Sequence, residues 1–267
     1  MDIVPVTTGS LIRDWRQRRR MSQLDLALDA EISQRHLSFL ESGRSRPSRE
    51  MVLRLAERLD VPLRQRNQML VSSGFAPSYG ERKLDDPGLK PALDAVQTVL
   101  TGHEPFPAIA IDRSWNMLLA NDAIGPFLEG IEDPELLAPP VNVLRLALHP
   151  KGMAPRIENI DQWRTHLLER LRQQIDATGD PTLASLETEL SAYPGRRRGP
   201  VMPFDPVSAA VAVPLRIRMG EQMLSFISTT TVFGTPLDVT LSELAVESFF
   251  PADAATGEAL RAFAARR

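Results

Sequence analysis

The chain has 267 residues, with 31 Lys and Arg against 34 Asp and Glu, 43% apolar side chains and no cysteine. At roughly 150 residues per domain this length fits two domains, each with enough apolar side chains for a real core. Without cysteine there is no disulfide scaffold, thiolate zinc site or cysteine nucleophile. No stretch approaches the roughly 18 apolar residues of a membrane span, and Arg18-Arg19-Arg20 is not followed by the short apolar run of an export signal, so a cytoplasmic protein is expected. The net charge of -3 is unevenly divided. Residues 1–83 carry 15 Lys/Arg and 10 Asp/Glu, a balance of +5, and the remainder carries 16 and 24, a balance of -8. A basic module therefore precedes a larger acidic one.

The basic module reads as a run of short helices. Leu11 to Arg20 places Leu11, Ile12 and Trp15 on one face. Ser22, with Asp25 three positions on, is an acidic form of the capping box and opens a second helix that ends near Ala30. Ser33 caps a third, Gln34 to Glu41, stopped by Ser42-Gly43, and the short turn between the two predicts a helix-turn-helix. A fourth helix starts after Ser48 with Val52, Leu55, Ala56 and Leu59 at helical spacing, and a fifth follows Pro62.

With Leu37 and Leu40 turned inward, the outward positions of the third helix are Gln34, Arg35, Ser38 and, at the edge, Phe39. Glutamine can bond an adenine edge, arginine a guanine edge, and a ring can touch a thymine methyl, so these four are the expected base-reading residues. Gln23, Arg44, Arg46 and Ser48 are expected on phosphates, where they fix register without reading sequence. The combination of Arg16, Ser22-Gln23, Leu26-Ala27, Ile32-Ser33, Leu37, Leu40-Glu41, Gly43-Arg44 and Pro47-Ser48 closely resembles the XRE (phage-repressor-like) helix-turn-helix family over about residues 9–73. The resemblance implies a structural ion pair between Arg16 and Glu41 and double-stranded DNA as the partner. Glu31 stands where that family often has glycine, which implies backbone strain of order 1 kcal/mol if φ is positive there.

Residues 73–88 are rich in turn formers and read as a linker, giving domains over 1–80 and 81–267. Beyond it the sequence predicts a helix over Leu89 to Thr101 and a hairpin of Pro105 to Asp112 with Trp115 to Ala120. Helices capped by Asn121 or Asp122 and by Asn142, then Asp161 to Thr178 and Pro181 to Ala192, follow. Strands at Val211 to Ile217, Leu224 to Val232 and Val239 to Phe249 precede a last helix, Ala252 to Ala264. The expected fold class is thus an all-α DNA-binding domain joined to an α+β domain with an antiparallel sheet and helices on one face.

That second order is PAS-like. Pro107-Ala108, Asp112-Arg113, Trp115, Leu118, Ala120-Asn121, Asn142 to Leu146, Val232 to Thr235 and Glu247 to Pro251 resemble the MmyB-like ligand-binding domain over about residues 88–264. The resemblance implies an effector-responsive bacterial transcription regulator with a fatty-acid-like ligand. Apolar candidates for a ligand pocket are Phe106, Ile109, Ile111, Trp115, Leu118, Phe127, Leu144, Trp163, Phe226 and Ile227, with Arg145, Arg113 or His149 available at its mouth. Arg196-Arg197-Arg198, in a Pro/Gly loop, reads as a solvated charge run.

No catalytic or metal-binding residues are expected. The histidines, at 36, 103, 149 and 166, form no i, i+4 pair, and neither a glycine-rich phosphate loop nor a Gly-x-Ser-x-Gly elbow occurs. The sequence therefore points to a regulator, expected as a homodimeric repressor whose small apolar effector alters operator affinity. The alternative is a constitutive repressor whose second domain only dimerises.

Overall fold

The computed structural model describes residues 7–194, 213–234 and 238–266. The Arg196–Arg198 run and the first residues of the strand expected from Val211 lie outside them. The chain forms two compact units: Met1–Lys83 with Asp176–Gly179 and Pro236–Ser242, and Leu84–Ile175 with Asp180–Thr235 and Glu243–Arg267.

The first unit contains α1 (Thr8–Arg18), α2 (Gln23–Asp29), α3 (Gln34–Glu41), α4 (Arg49–Arg58) and α5 (Leu63–Ser72). Four of them begin at a side-chain cap: Thr7, Ser22, Ser33 and Ser48 each accept a backbone N–H three residues on, and Thr7 and Ser22 complete capping boxes with Ser10 and Asp25. Each cap satisfies a donor the helix cannot, typically worth about 1 kcal/mol. Ile12, Trp15, Leu26, Leu37, Leu40, Val52, Leu55 and Leu59 meet in one core. Gly9 on α1 packs against the end of α3 so closely that a Cβ would lie 2.5 Å from the Leu40 carbonyl oxygen. Only glycine permits that approach. Between α2 and α3 the chain turns at Glu31, whose φ is +56°, so the strain anticipated from its side chain is present.

The second unit begins with α6 (Lys90–Gly102), then β1 (Ala108–Ile111), β2 (Met117–Ala120), α7 (Gly125–Leu128), α8 (Val143–Leu148), α9 (Ile160–Thr178) and α10 (Pro181–Ala192). It continues with β3 (Leu215–Met219), β4 (Gln222–Val232), α11 (Val239–Ser242), β5 (Ala245–Pro251) and α12 (Ala254–Ala264), with α11 and the α9 residues from Asp176 onward belonging to the first unit. The strands make one antiparallel sheet in the order β2-β1-β5-β4-β3. The strand expected from Val239 to Phe249 is therefore a helical turn followed by β5. Trp115 is not the start of β2 but part of the hairpin turn, where Asp112 Oδ1 accepts the backbone N–H groups of Ser114 and Asn116.

Helices cover more of the sheet than the one face expected. Ile109, Ile111, Leu215, Ile217, Leu224 and Phe226 face the main core with α8, α9 and α10. Ala108, Ala110 and Val246 point the other way and pack with Val96 and Leu100 of α6. Since successive strand residues alternate faces, β1 is buried along its whole length. Past α6 the outer face opens to solvent at Ile227 and Phe250.

Asn121 is not the helix cap its position suggested. Its Oδ1 accepts the Ala108 N–H and its Nδ2 donates to the carbonyls of Leu100 and Phe106, so it ties α6 to β1 from a buried position. Asn142 does cap α8, accepting the Arg145 N–H, and also donates to the Ser114 carbonyl at 2.7 Å.

Candidate functional site

In the first unit, α3 presents Gln34 and Arg35 exposed, with Ser38 and Phe39 half-buried. Phe39 lies between two cations: the guanidinium carbons of Arg35 and Arg44 are 5.4 and 5.9 Å from its ring centroid. Such contacts are worth about 0.5–1 kcal/mol at exposed sites and hold two long side chains in a preferred orientation. Arg44 and Arg46 are exposed nearby in sequence, after α3. Ser48 caps α4.

Gln23, expected on a phosphate, also has a partner inside the unit. Its Nε2 donates to Glu41 Oε2 at 2.8 Å, joining the ion pair at the end of α3. Arg16 grips the same carboxylate with two bonds, 2.6 and 3.0 Å, and donates a third to the Met21 carbonyl. The Glu41 side chain has no exposed surface, and three donors on its two oxygens are what allow a charge to stay there. Burial pushes its carboxyl upward, but the hydrogen bonds of Arg16 and Gln23 and the charges of Arg16 and Arg13 outweigh that and hold it below the ordinary carboxylate range.

In the second unit a cavity lies between the sheet and the helices, with about 100 Å³ of space open to water-sized molecules. Ile109 of β1, Leu215 of β3, Phe226 of β4 and Phe249 of β5 form its sheet side. Phe127 of α7, Val143, Leu144 and Ala147 of α8, and Trp163 and Leu167 of α9 close the other. Six of the pocket candidates, Ile109, Trp115, Phe127, Leu144, Trp163 and Phe226, come together on this wall. The others do not. Ile111 is buried in the adjoining core, Phe106 packs at its margin, and Leu118 sits against the α6 cluster on the opposite side of the sheet. Ile227 is on the outer face, because it follows the inward Phe226 by one residue.

None of the cations expected at the mouth lines the cavity. Arg145 forms a bidentate pair with Glu189 on α10, at 2.9 and 2.8 Å, and the Tyr193 hydroxyl donates to the same carboxylate. Burial and that bond push the Tyr193 hydroxyl up to about 12. Arg113 pairs with Asp180 at 2.7 Å, and His149 packs edge-on against Tyr193.

A charged pair that the sequence reading passed over stands at the cavity instead. Glu247, on β5 between Val246 and Ser248, lines it and is 4% exposed. Its Oε1 accepts from Arg170 Nη1 of α9 at 2.6 Å, while Arg170 Nη2 donates to the Thr230 hydroxyl. The guanidinium also lies 4.9 Å from the Trp115 ring centroid. Trp115 itself has φ +66°, a conformation costing a bulky residue about 1–2 kcal/mol. Gln174 holds it there, accepting the indole N–H at 2.7 Å and donating to the Arg113 carbonyl. Two signals were available in the sequence: an acid on the same strand face as Ala245 and Phe249, and an arginine three positions after Leu167 and seven after Trp163, on one helix face with them. Burial and the Arg170 charge push neighbouring His166 below its ordinary range.

Among the described residues no group of three or more His, Asp or Glu is placed to hold a metal, and no helix is long and apolar enough to cross a membrane.

The family model for the MmyB-like transcription regulator ligand binding domain matches residues 93–263, and a helix-turn-helix model matches residues 12–65. No curated protein matches the chain.

Proposed function

Because the chain belongs to the MmyB-like transcription regulators, DNA-binding proteins with a ligand-binding domain, we propose that it is a homodimeric repressor whose operator affinity is set by a small apolar effector. The observation that carries this reading is the apolar cavity between sheet and helices in the unit that the ligand-binding model covers. Gln34 and Arg35 read base edges, with Ser38 and Phe39 beside them; Arg44 and Arg46 hold phosphates. A two-fold dimer doubles the few base pairs that one recognition helix reads, with half-sites about 34 Å apart. An effector that binds two arrangements of the dimer unequally shifts that spacing and releases the operator.

The effector belongs to the fatty-acid-like class in having an extended apolar body, which suits the aliphatic and aromatic wall. The test is fluorescence anisotropy on a selected operator, with and without a panel of acyl-chain and alkyl-chain compounds. A bound compound should weaken operator affinity at least tenfold, and unchanged affinity at saturation rejects the reading. On the DNA side, Arg35→Ala should cost about 1–3 kcal/mol on the operator and relax the preference at one base pair, with random-sequence DNA much less affected. Equal losses on both DNAs would remove Arg35 from the base-reading set.

A further inference from the structure

We propose that Phe39 is a positioning residue for DNA reading: its ring aims Arg35 at the bases and Arg44 at the backbone, and it sets sequence preference through Arg35 without touching a base itself. This rests on the reading of Arg35 as a base contact and adds what points it there.

Arg35 and Arg44 are both exposed, and among the described residues neither guanidinium is held by an ion pair or a hydrogen bond. Other arginines of the chain, Arg16, Arg113, Arg145 and Arg170 among them, are spent on carboxylates. An unheld arginine spreads over many rotamers and meets phosphates as readily as base edges. The Phe39 ring restricts both side chains, with their guanidinium carbons over it at 5.4 and 5.9 Å from its centroid. A guanidinium on a ring face uses its own flat side for the contact. Its N–H donors lie in its plane and stay free for a guanine edge or a phosphate.

The backbone brings the two arginines to the ring from opposite directions along the chain. Arg35 lies four positions before Phe39 on α3, hence on the same side of the helix. Arg44 arrives after the turn at Gly43, whose φ is +74°. There the N–H groups of Arg44 and Ser45 both donate to the Phe39 carbonyl, at 2.9 and 3.1 Å, and the Ser42 hydroxyl donates to it at 3.3 Å. The main chain thus sets where the two residues stand, and the ring sets where their side chains point. Replacing the ring by an aliphatic side chain leaves the helix and the turn their hydrogen bonds and releases the two guanidinium groups. Preorganisation is what such a change removes, and for Arg35 it is preorganisation toward one base pair.

The experiment is fluorescence anisotropy of the full chain on a selected operator and on random-sequence DNA, with Phe39→Leu, Phe39→Tyr, Arg35→Ala and the double variant of Phe39→Leu with Arg35→Ala. Phe39→Leu should weaken operator binding about tenfold and random-sequence binding about twofold, the second loss coming from Arg44 alone. Phe39→Tyr keeps the ring and should bind both DNAs as the wild type does. Once Arg35 is alanine, Phe39→Leu should cost the operator only about the twofold seen on random DNA, because the side chain it aims is gone. An operator penalty of the same size with and without Arg35 overturns the positioning role and makes the ring itself a reader of a base. Equal losses on both DNAs for Phe39→Leu, or none, overturn it as well, while leaving Arg35 as a base contact. Equal losses on both DNAs for Arg35→Ala remove the base-reading assignment and this inference with it. If Phe39→Leu does not fold, Phe39→Met takes its place in the same cycle.

Discussion

Each of the two units contains an arginine–glutamate pair taken out of solvent, and the two pairs are built differently. Arg16 and Glu41 join α1 to the end of α3, and every carboxylate oxygen is used: Arg16 reaches both and Gln23 supplies a third donor. Arg170 and Glu247 join α9 to β5 through a single carboxylate oxygen, next to an apolar cavity. Saturation makes the first pair a fixed strut that sets the angle of the recognition helix. The second pair bonds through one oxygen of the two and stands on the cavity wall, so the same two residue types are combined differently in the two units.

Breaking the strut should have the largest effect. Arg16→Ala leaves Glu41 buried with only Gln23 and the more distant Arg13, at 3.6 Å, to hold its charge, and should cost about 3–5 kcal/mol in urea unfolding. Arg170→Ala should cost less, about 1–3 kcal/mol, because it removes one hydrogen bond from Glu247, where Arg16→Ala removes two from Glu41. A loss at position 170 as large as that at position 16 would mean the second pair is a strut too.

Acid should separate the pairs as well. The Glu41 carboxyl lies below its ordinary range in the folded protein, so its contribution is complete above the unfolded value of 4.5 and disappears as pH falls through the lower folded value. The stability gap between wild type and Glu41→Gln, measured by urea unfolding at pH 7 and again near pH 3, should therefore shrink in acid. A gap of constant size would show that the carboxyl is not held down by its partners. The smallest expected effect is at the turn: Glu31→Gly removes the cost of a side chain at φ +56° and should stabilise the first unit by about 0.5–1 kcal/mol. Destabilisation would show that the Glu31 side chain offsets its own strain.

The first unit was legible in unusual detail because its rules are local. A serine at the N-cap, an acid three residues later and leucines at helical spacing specify where α2, α3 and α4 begin and which face they bury. In the second unit the helices α9 and α10 were equally readable, but Val239 to Phe249 was not. Its apolar, β-branched composition suits a strand throughout, whereas Asp238 accepts the Thr240 N–H and starts a helical turn before β5 begins. Asn121 misled for a related reason: a cap and a cross-link use the same side-chain atoms, and only the proximity of Leu100, Phe106 and Ala108 selects between them.

The amino-acid sequence by itself determined the two-part layout, the helix boundaries of the DNA-binding unit, its outward-facing Gln34 and Arg35, and six of the side chains that meet around the cavity. These follow from periodicities of 3.6 and 2 residues and from caps within four positions, all of which act along the chain. The tertiary structure decided the rest: that Arg145 is spent on Glu189, that Gln23 turns to Glu41, and that Arg170 meets Glu247 across 77 positions of sequence. The pairing of a charge depends on what burial brings within about 3 Å of it, and the order of residues along the chain does not contain that distance.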